Sequence, residues 1–332
     1  LKSLYSLWST FGAVTMISLY VGITDWDWYQ HLSQRPDIAE VNFWQPGGNT
    51  SFKALIPGEL FLFKLHAPRN YIAGGGVFSH ATNLPLSLAW ETFGPGNGVS
   101  SLAEMRTRIA KYRKQIADHR VEYVIGCRLL VQPFFFKESD WIPIPASWAP
   151  QTQVGKTYRT DTADGRRLWD RIQEHLERPP VVEKLPVVGL AEEQAPFQRP
   201  RYGEPTLIHP RLGQGAFRVL VTDAYGRRCA VSKEKALPTL EAAHIQPYAE
   251  GGAHSVKNGL LLRSDIHRLF DLGYVTVTTG YKVEVSRKLR EEFENGATYY
   301  KFHGFPIALP EQMDSIPERA ALAWHNDTKF RG

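Results

Sequence analysis

Three side chains between Glu241 and Val275 have the types and spacing of a hydrolytic site. They are His244, Asn258 fourteen residues on, and His267 nine further on. A neutral imidazole can take a proton from water because its pKa lies near neutral pH. His244 closes an apolar run and is followed by Ile245 and Pro247, which fix the chain on exit. His267 and Asp271 are four residues apart in a helical pattern, so they share a helix face and form a metal half-site. Arg268 on the same helix can reach a phosphate. Asn258 precedes Gly259 in a tight loop, and its amide can pin that loop to the His244 strand. Phosphodiester hydrolysis needs an activated water, stabilised phosphate charge and help for the leaving oxygen, and one divalent metal can supply the last two. His254 sits in the intervening loop with no evident partner and reads as a bystander.

The elements that must position these groups follow from local pattern. Leu240–Ile245 and Leu260–Arg263 read as strands. Ser264 is the expected cap of a helix from Asp265 to about Leu272, with Gly273 as its C′ residue. Upstream, Ala216–Tyr225 reads as a helix. Downstream, Tyr274–Thr278 and Tyr281–Val285 form a hairpin around Thr279-Gly280, then a short helix near Arg287–Asn295 and an irregular tail.

The segment from about Leu212 to Val275 resembles the HNH endonucleases, the ββα-metal fold. The resemblance rests on Ala243-His244-Ile245 with Pro247, Gly251-Gly252, Asn258-Gly259 with Leu262, and His267-Arg268 with Phe270-Asp271 and Gly273. The upstream run from Phe217 to Ser232 also fits, and Trp324-His325-Asn326 resembles the tails of bacterial restriction-type members. The resemblance implies His244 as general base, Asn258 as the residue that orients the loop, and His267 as a metal ligand. It implies one divalent ion, Mg²⁺ or Mn²⁺. Many members carry Asp or His just before the base as a further ligand, where this chain has Ala243. The metal then falls to His267 with Asp271, Asn258 or a nearby acid such as Glu241, plus water.

Residues 17–175 read as a separate α/β or mainly β domain. Strands are expected at Ile17–Ile23, Phe52–Leu55, Leu60–Leu65, Ile72–Phe78 and within Val121–Phe136. A helix capped by Thr24 runs to Leu32, another starts at the Ser101–Glu104 capping box and reaches about Ala117, and a third spans 165–177. The domain is rich in tryptophan, and Asn42-Phe43-Trp44-Gln45 sets amides beside rings. Flat rings with a few amides are what holds an extruded base. Trp28, Asn42, Trp44, Gln45 and Trp90 are the candidate pocket residues. The opening strand, the strand-turn-strand around Pro57-Gly58 and the following Gly74–Gly76 strand resemble the PUA-like superfamily, in particular EVE-type readers of modified bases. That resemblance implies a β-barrel-type fold with flanking helices and binding of 5-methylcytosine or 5-hydroxymethylcytosine.

Bulk properties frame these readings. Apolar content of 43% and charged content of 22% suit a globular α+β chain with two cores. Net charge is +5, and it is uneven: Arg199–Arg290 holds 15 Lys and Arg against 8 Asp and Glu, while residues 1–198 hold 20 against 19. A basic C-terminal half fits a polyanionic partner. Cys127 and Cys229 are the two cysteines, which excludes a four-cysteine structural zinc within one chain and fits a reducing cytoplasm. No segment reads as a membrane span. Met16 opens a clean strand, so residues 1–15 read as upstream sequence. Seven prolines between Arg178 and Pro210 mark 178–211 as an extended linker, between a 16–177 recognition domain and a 212–332 nuclease domain.

Together these features point to a modification-dependent DNA endonuclease of bacterial cytoplasm. Its partner is double-stranded DNA carrying modified cytosine, and a homodimer is one route to double-strand cleavage. Two alternatives stay open. One is an HNH nuclease that selects ordinary DNA sequence or structure, or RNA. The other is a nucleic-acid-binding protein with a degenerate HNH fold, suggested by Ala243.

Overall fold

The computed structural model describes residues 16–48, 51–177, 207 and 212–332 of the 332. The chain divides into two compact units, 1–210 and 211–332. Apart from residue 207, the expected linker at 178–211 lies outside the described residues, as does the 1–15 segment.

The first unit is built on a seven-stranded sheet. Its strands are β1 (Ser18–Thr24), β2 (Glu40–Gln45), β3 (Leu60–Leu65), β4 (Tyr71–Pro85), β5 (Val124–Phe135), β6 (Ile142–Pro143) and β7 (Gly155–Arg159). The order is β2-β5-β4-β3-β1-β7, with β6 added alongside β4. Only the β1–β3 ladder is parallel among those described; the others are antiparallel. No ladder joins β2 to β7 among the described residues, so the barrel-type expectation is met by an open strand path. The register of β4 shifts against both β3 and β5, the local irregularity by which long strands bend.

Helix α1 (Trp26–Ser33) lays Trp28, Tyr29 and Leu32 on a core of Val41, Phe43, Phe61, Phe63 and Leu130. Its N-cap is Asp25 rather than Thr24, and no side chain caps it. After β4 come α2 (Leu86–Phe93) and α3 (Leu102–Tyr112). The Ser101 hydroxyl accepts the Glu104 amide at 3.1 Å, and Glu104 accepts the Ser100 amide at 2.8 Å. This closes the expected capping box one residue early. Helix α3 ends at Tyr112, short of Ala117, and Lys114 turns to a φ of 55°. The strand expected at Phe52–Leu55 is irregular chain. The last helix described in the unit is α4 (Ala163–Glu177).

The second unit starts with α5 (Gln214–Ala224) and packs it on the hairpin of β8 (Leu240–His244) and β9 (Gly259–Arg263). Helix α6 (Ser264–Asp271) follows β9 without a break. Arg263 holds the N-cap position, so Ser264 is the first helical residue rather than the cap. Gly273 ends the helix with a φ of 76°, and a Cβ there would lie 2.0 Å from the Lys329 carbonyl oxygen. Both demands select glycine. Strands β10 (Val275–Val277) and β11 (Val283–Val285) pair antiparallel. They are followed by α7 (Lys288–Phe293) and α8 (Ala297–Tyr300). The tail is not irregular throughout, because α9 (Arg319–Thr328) buries Leu322 and His325. Phe217, Leu260, Ile266 and Phe270 join α5, β9 and α6 in one core. Burying each such side chain contributes on the order of 1.5–3 kcal/mol. This core holds the three catalytic-type elements to one another.

Candidate active site

His244 stands at the end of β8 with its ring flat on Phe217 of α5, centroids 3.8 Å apart and planes 11° apart. Gly259 makes that approach feasible. A Cβ there would lie 2.5 Å from the Val221 side chain and 3.1 Å from the Phe217 ring. Burial first, then the neighbouring His254 and His267, push the His244 ring down to about 4. It is therefore uncharged at neutral pH, the form a general base requires.

Asn258 lies at the opposite end of the loop and is 5% exposed. Its Nδ2 donates to the carbonyls of Gln246 at 2.8 Å and Ala253 at 3.0 Å, and its Oδ1 accepts the Gln246 amide at 2.9 Å. The Asn258 carbonyl accepts the Ile245 amide at 2.9 Å. One residue thus clamps the chain on leaving His244. The same bonds correct the metal expectation for Asn258, since its amide is committed to the loop.

His267 projects from α6 between two carboxylates. Its Nδ1 is 2.7 Å from Glu241 Oε2, and its Nε2 is 3.4 Å from Asp271 Oδ2. A neutral ring has one N–H and satisfies one of them. The other is satisfied either by a second ring proton or by a cation bound at that nitrogen. Glu241 is thus the closer partner of the ring, and Asp271 the looser one at Nε2. Among the described residues no group of three or more His, Cys, Asp or Glu is arranged to hold a metal. Two protein donors with water and phosphate oxygens suit Mg²⁺, which keeps several waters. Ala243 is fully buried in the core. The acid beside His267 is instead Glu241, two residues earlier on the same strand face.

His244, His267 and Asp271 line one open cleft of about 540 Å³, together with Gln214, Tyr248, His254, His325 and Lys329. His254 is no bystander, since its Nδ1 is 3.2 Å from His244 Nε2. Tyr248 stacks on His254 with centroids 4.6 Å apart. Lys329 adds a cation to the cleft and pairs with Glu250 at 2.7 Å. Arg268 is exposed on α6 and does not line the cleft. His325 explains the Trp324-His325-Asn326 run. Its ring stacks on Phe270, centroids 3.7 Å apart, its Nε2–H donates to the Phe270 carbonyl at 3.1 Å, and its Nδ1 meets the Thr276 hydroxyl at 2.8 Å. The last helix thereby staples α6 in place.

The first unit has its own cleft of about 440 Å³, lined by Asp25, Trp28, Phe43, Trp44, Gln45, His66 and Tyr112 among others. Trp28 is 5% exposed and packs edge-on against Phe43 and Phe63. Trp44 Nε1 donates to the Asn97 carbonyl at 2.8 Å. Gln45 Oε1 accepts from Arg128 Nη2 at 2.6 Å. Asp25 pairs with His66 at 3.2 Å and accepts from the Tyr112 hydroxyl, whose pKa is raised by burial and by that carboxylate. Asn42 is fully buried, donating to Asn97 Oδ1 at 2.9 Å, and lies away from the cleft. Trp90 also does not line it. Asp25, His66 and Tyr112, distant in sequence, line the cleft together with Trp28, Trp44 and Gln45.

Residues 229–278 match the family model described as HNH endonuclease. The second unit therefore carries an HNH-type domain, and the chain joins it to a distinct β-rich domain. No curated protein matches the chain. Among solved structures, the ASCH protein of Zymomonas mobilis is similar over 45% of this chain and 92% of its own, at 11% identity and a TM-score of 0.32. A single-substitution variant of that protein gives 11% identity and a TM-score of 0.31, covering 45% of this chain and 95% of its own. Likenesses of that size leave the first unit defined by its own strand order. No helix of the described residues is long and apolar enough to cross a membrane.

Proposed function

We propose that this chain is a divalent-metal-dependent DNA endonuclease that acts on cytosine-modified DNA. The observation that carries the reading is a single cleft holding His244, His267 and Asp271 within the segment that matches HNH endonucleases. His244 takes the proton from the attacking water. Phe217 fixes the plane of the base, and Asn258 fixes the backbone behind it. His267 and Asp271 would hold the ion, which supplies charge stabilisation on the phosphate and the leaving oxygen. Lys329, paired with Glu250, lines the same cleft. Arg268 lies exposed on the same helix, where it can contact a neighbouring phosphate.

The cleft between Trp28, Trp44 and Gln45 supports a base-reading role for the first unit. It has ring surface, an amide and the Asp25 carboxylate, which together can stack and hydrogen-bond an extruded pyrimidine. The test is digestion of matched plasmids that are unmodified, 5-methylated or 5-hydroxymethylated at cytosine, with Mg²⁺ or Mn²⁺. The reading expects metal-dependent cutting of a modified plasmid and little cutting of the unmodified one. Equal cutting of all three removes the modified-base role, and cutting of RNA alone removes the DNA assignment.

A further inference from the structure

His254 lies ten residues from His244 and outside the expected catalytic skeleton, yet it makes the polar contact closest to the base. The two rings meet edge to face, 80° apart, with Nε2 of His244 3.2 Å from Nδ1 of His254. A hydrogen bond at that distance holds one proton between two nitrogens. If the proton sits on His254, its Nδ1–H occupies the His244 Nε2 lone pair. A neutral His244 would then carry its own proton on Nδ1 and have no basic atom left. If the proton sits on His244, its Nε2–H donates to His254 and Nδ1 keeps a free lone pair. Only the second arrangement gives a paired His244 that can act as a base.

Resting on the nuclease reading above, we infer that His254 is the positioning residue of the base: its Nδ1 accepts the Nε2–H of His244 and fixes the tautomer whose free Nδ1 takes the water proton. One O–H bond of water breaks, and that proton passes to His244 Nδ1. The hydroxide oxygen bonds to phosphorus as the bond to the leaving oxygen breaks. The leaving alkoxide takes a proton from solvent. The imidazolium formed on His244 is held by the Nε2–H bond to His254, the orienting and stabilising role that the carboxylate has in a Ser-His-Asp triad.

The surroundings hold His254 for this task. Tyr248 covers one face of its ring, and Phe217 meets it edge-on with centroids 6.2 Å apart. The loop carrying it is tied by Asn258 Nδ2 at the Ala253 carbonyl. The other ionisable groups lining the cleft are His267 and Asp271 from α6, Tyr248 from the loop, and His325 and Lys329 from the C-terminal segment. Lys329 is bound to Glu250, and His325 is buried against Phe270.

The experiment compares the full-length chain with its His254→Phe and His254→Asn variants. Supercoiled 5-methylated or 5-hydroxymethylated plasmid with Mn²⁺ is the substrate, and ¹⁵N spectra of the histidine rings, assigned with His244→Gln, are the second readout. Phenylalanine keeps the ring and removes the acceptor; asparagine restores an acceptor oxygen. The expected result is a kcat roughly 10- to 100-fold lower for His254→Phe at unchanged KM, as for other orienting partners of catalytic groups. His254→Asn recovers a substantial part of that loss. In the spectra, wild-type His244 is protonated at Nε2, and His254→Phe gives mixed tautomers. Wild type that cuts, with both variants cutting as fast and an unchanged His244 tautomer, overturns the pairing alone. Wild type that cuts neither modified nor unmodified plasmid with Mg²⁺ or Mn²⁺ overturns the nuclease reading and this inference with it.

Discussion

The His244 imidazole lies face to face on the Phe217 phenyl ring, with centroids 3.8 Å apart. The stack does two things. It fixes the plane of the base, and it withdraws one face from water, contributing to the burial that pushes the ring down to about 4. Phe217→Leu keeps an apolar residue in the core but leaves a cavity and uncovers part of that face, at a stability cost of roughly 1–3 kcal/mol. The ring pKa should rise from about 4 toward its ordinary range, which alone would strengthen the base; a cleavage rate that falls all the same, at unchanged DNA affinity, reports the loss of the fixed ring plane. Histidine-ring NMR titration and single-turnover cleavage check both.

His267 stands between Glu241 and Asp271, and the proposed function gives the two acids different tasks. Asp271→Asn removes a charge from the half-site itself. The Mn²⁺ concentration for half-maximal cleavage should rise roughly 10- to 100-fold. Glu241→Gln keeps a hydrogen-bond acceptor at Nδ1 and should cost less. Cleavage measured across a Mn²⁺ series ranks the two, and a larger effect at Glu241 would reverse the assignment of the ring's nitrogens. Removing metal with EDTA should abolish cutting and leave DNA binding in place.

His325 is 2% exposed, and burial pushes its ring down to about 4. That lies below the value of about 6.5 expected in the unfolded chain. The folded chain therefore binds fewer protons than the unfolded one. Its contribution is complete above pH about 6.5 and is lost as pH falls from there toward 4, with a full effect of about 3 kcal/mol. Calorimetric melting of the full chain should show the transition of the second unit dropping between pH 7 and 4.5. His325→Phe keeps the stacking shape and should be less stable at pH 7 but flatter with pH.

Arg128 is buried and holds the Gln45 side chain by its oxygen. The Gln45 amide nitrogen is then the end free to donate to a ligand in the cleft. Arg128→Met removes the hold without opening a large cavity. It should reduce discrimination between modified and unmodified DNA, as should Trp44→Ala, while metal-dependent cutting by the second unit persists. Binding competition between matched oligonucleotides measures this.

The proximity of His244, Asn258 and His267 is readable from sequence because it is local. Strand, loop and helix lie within 24 residues from His244 to His267, and each side chain's direction follows from strand parity or helical spacing. What sequence could not supply came from chain that folds back. Lys329 and His325 reach the cleft through α9, a helix in a tail that reads as irregular because its apolar residues are few. His254 looked idle because a loop's geometry is set by its clamp, Asn258, and not by periodicity. In the first unit Trp44 and Gln45, two of the ring-and-amide residues of β2, line a cleft. Asn42 on the same strand is turned by the fold toward Asn97 and Cys127. Asp25, His66 and Tyr112 were out of reach, since three separate elements bring them together.

His244→Ala removes the proposed base of the phosphodiester-cleaving site. Wild type and variant are compared in single-turnover cleavage of a modified plasmid with Mn²⁺, alongside DNA binding in EDTA. The variant should cut roughly 10²- to 10⁴-fold more slowly with binding unchanged. Cleavage by the variant at the wild-type rate would rule His244 out as the base.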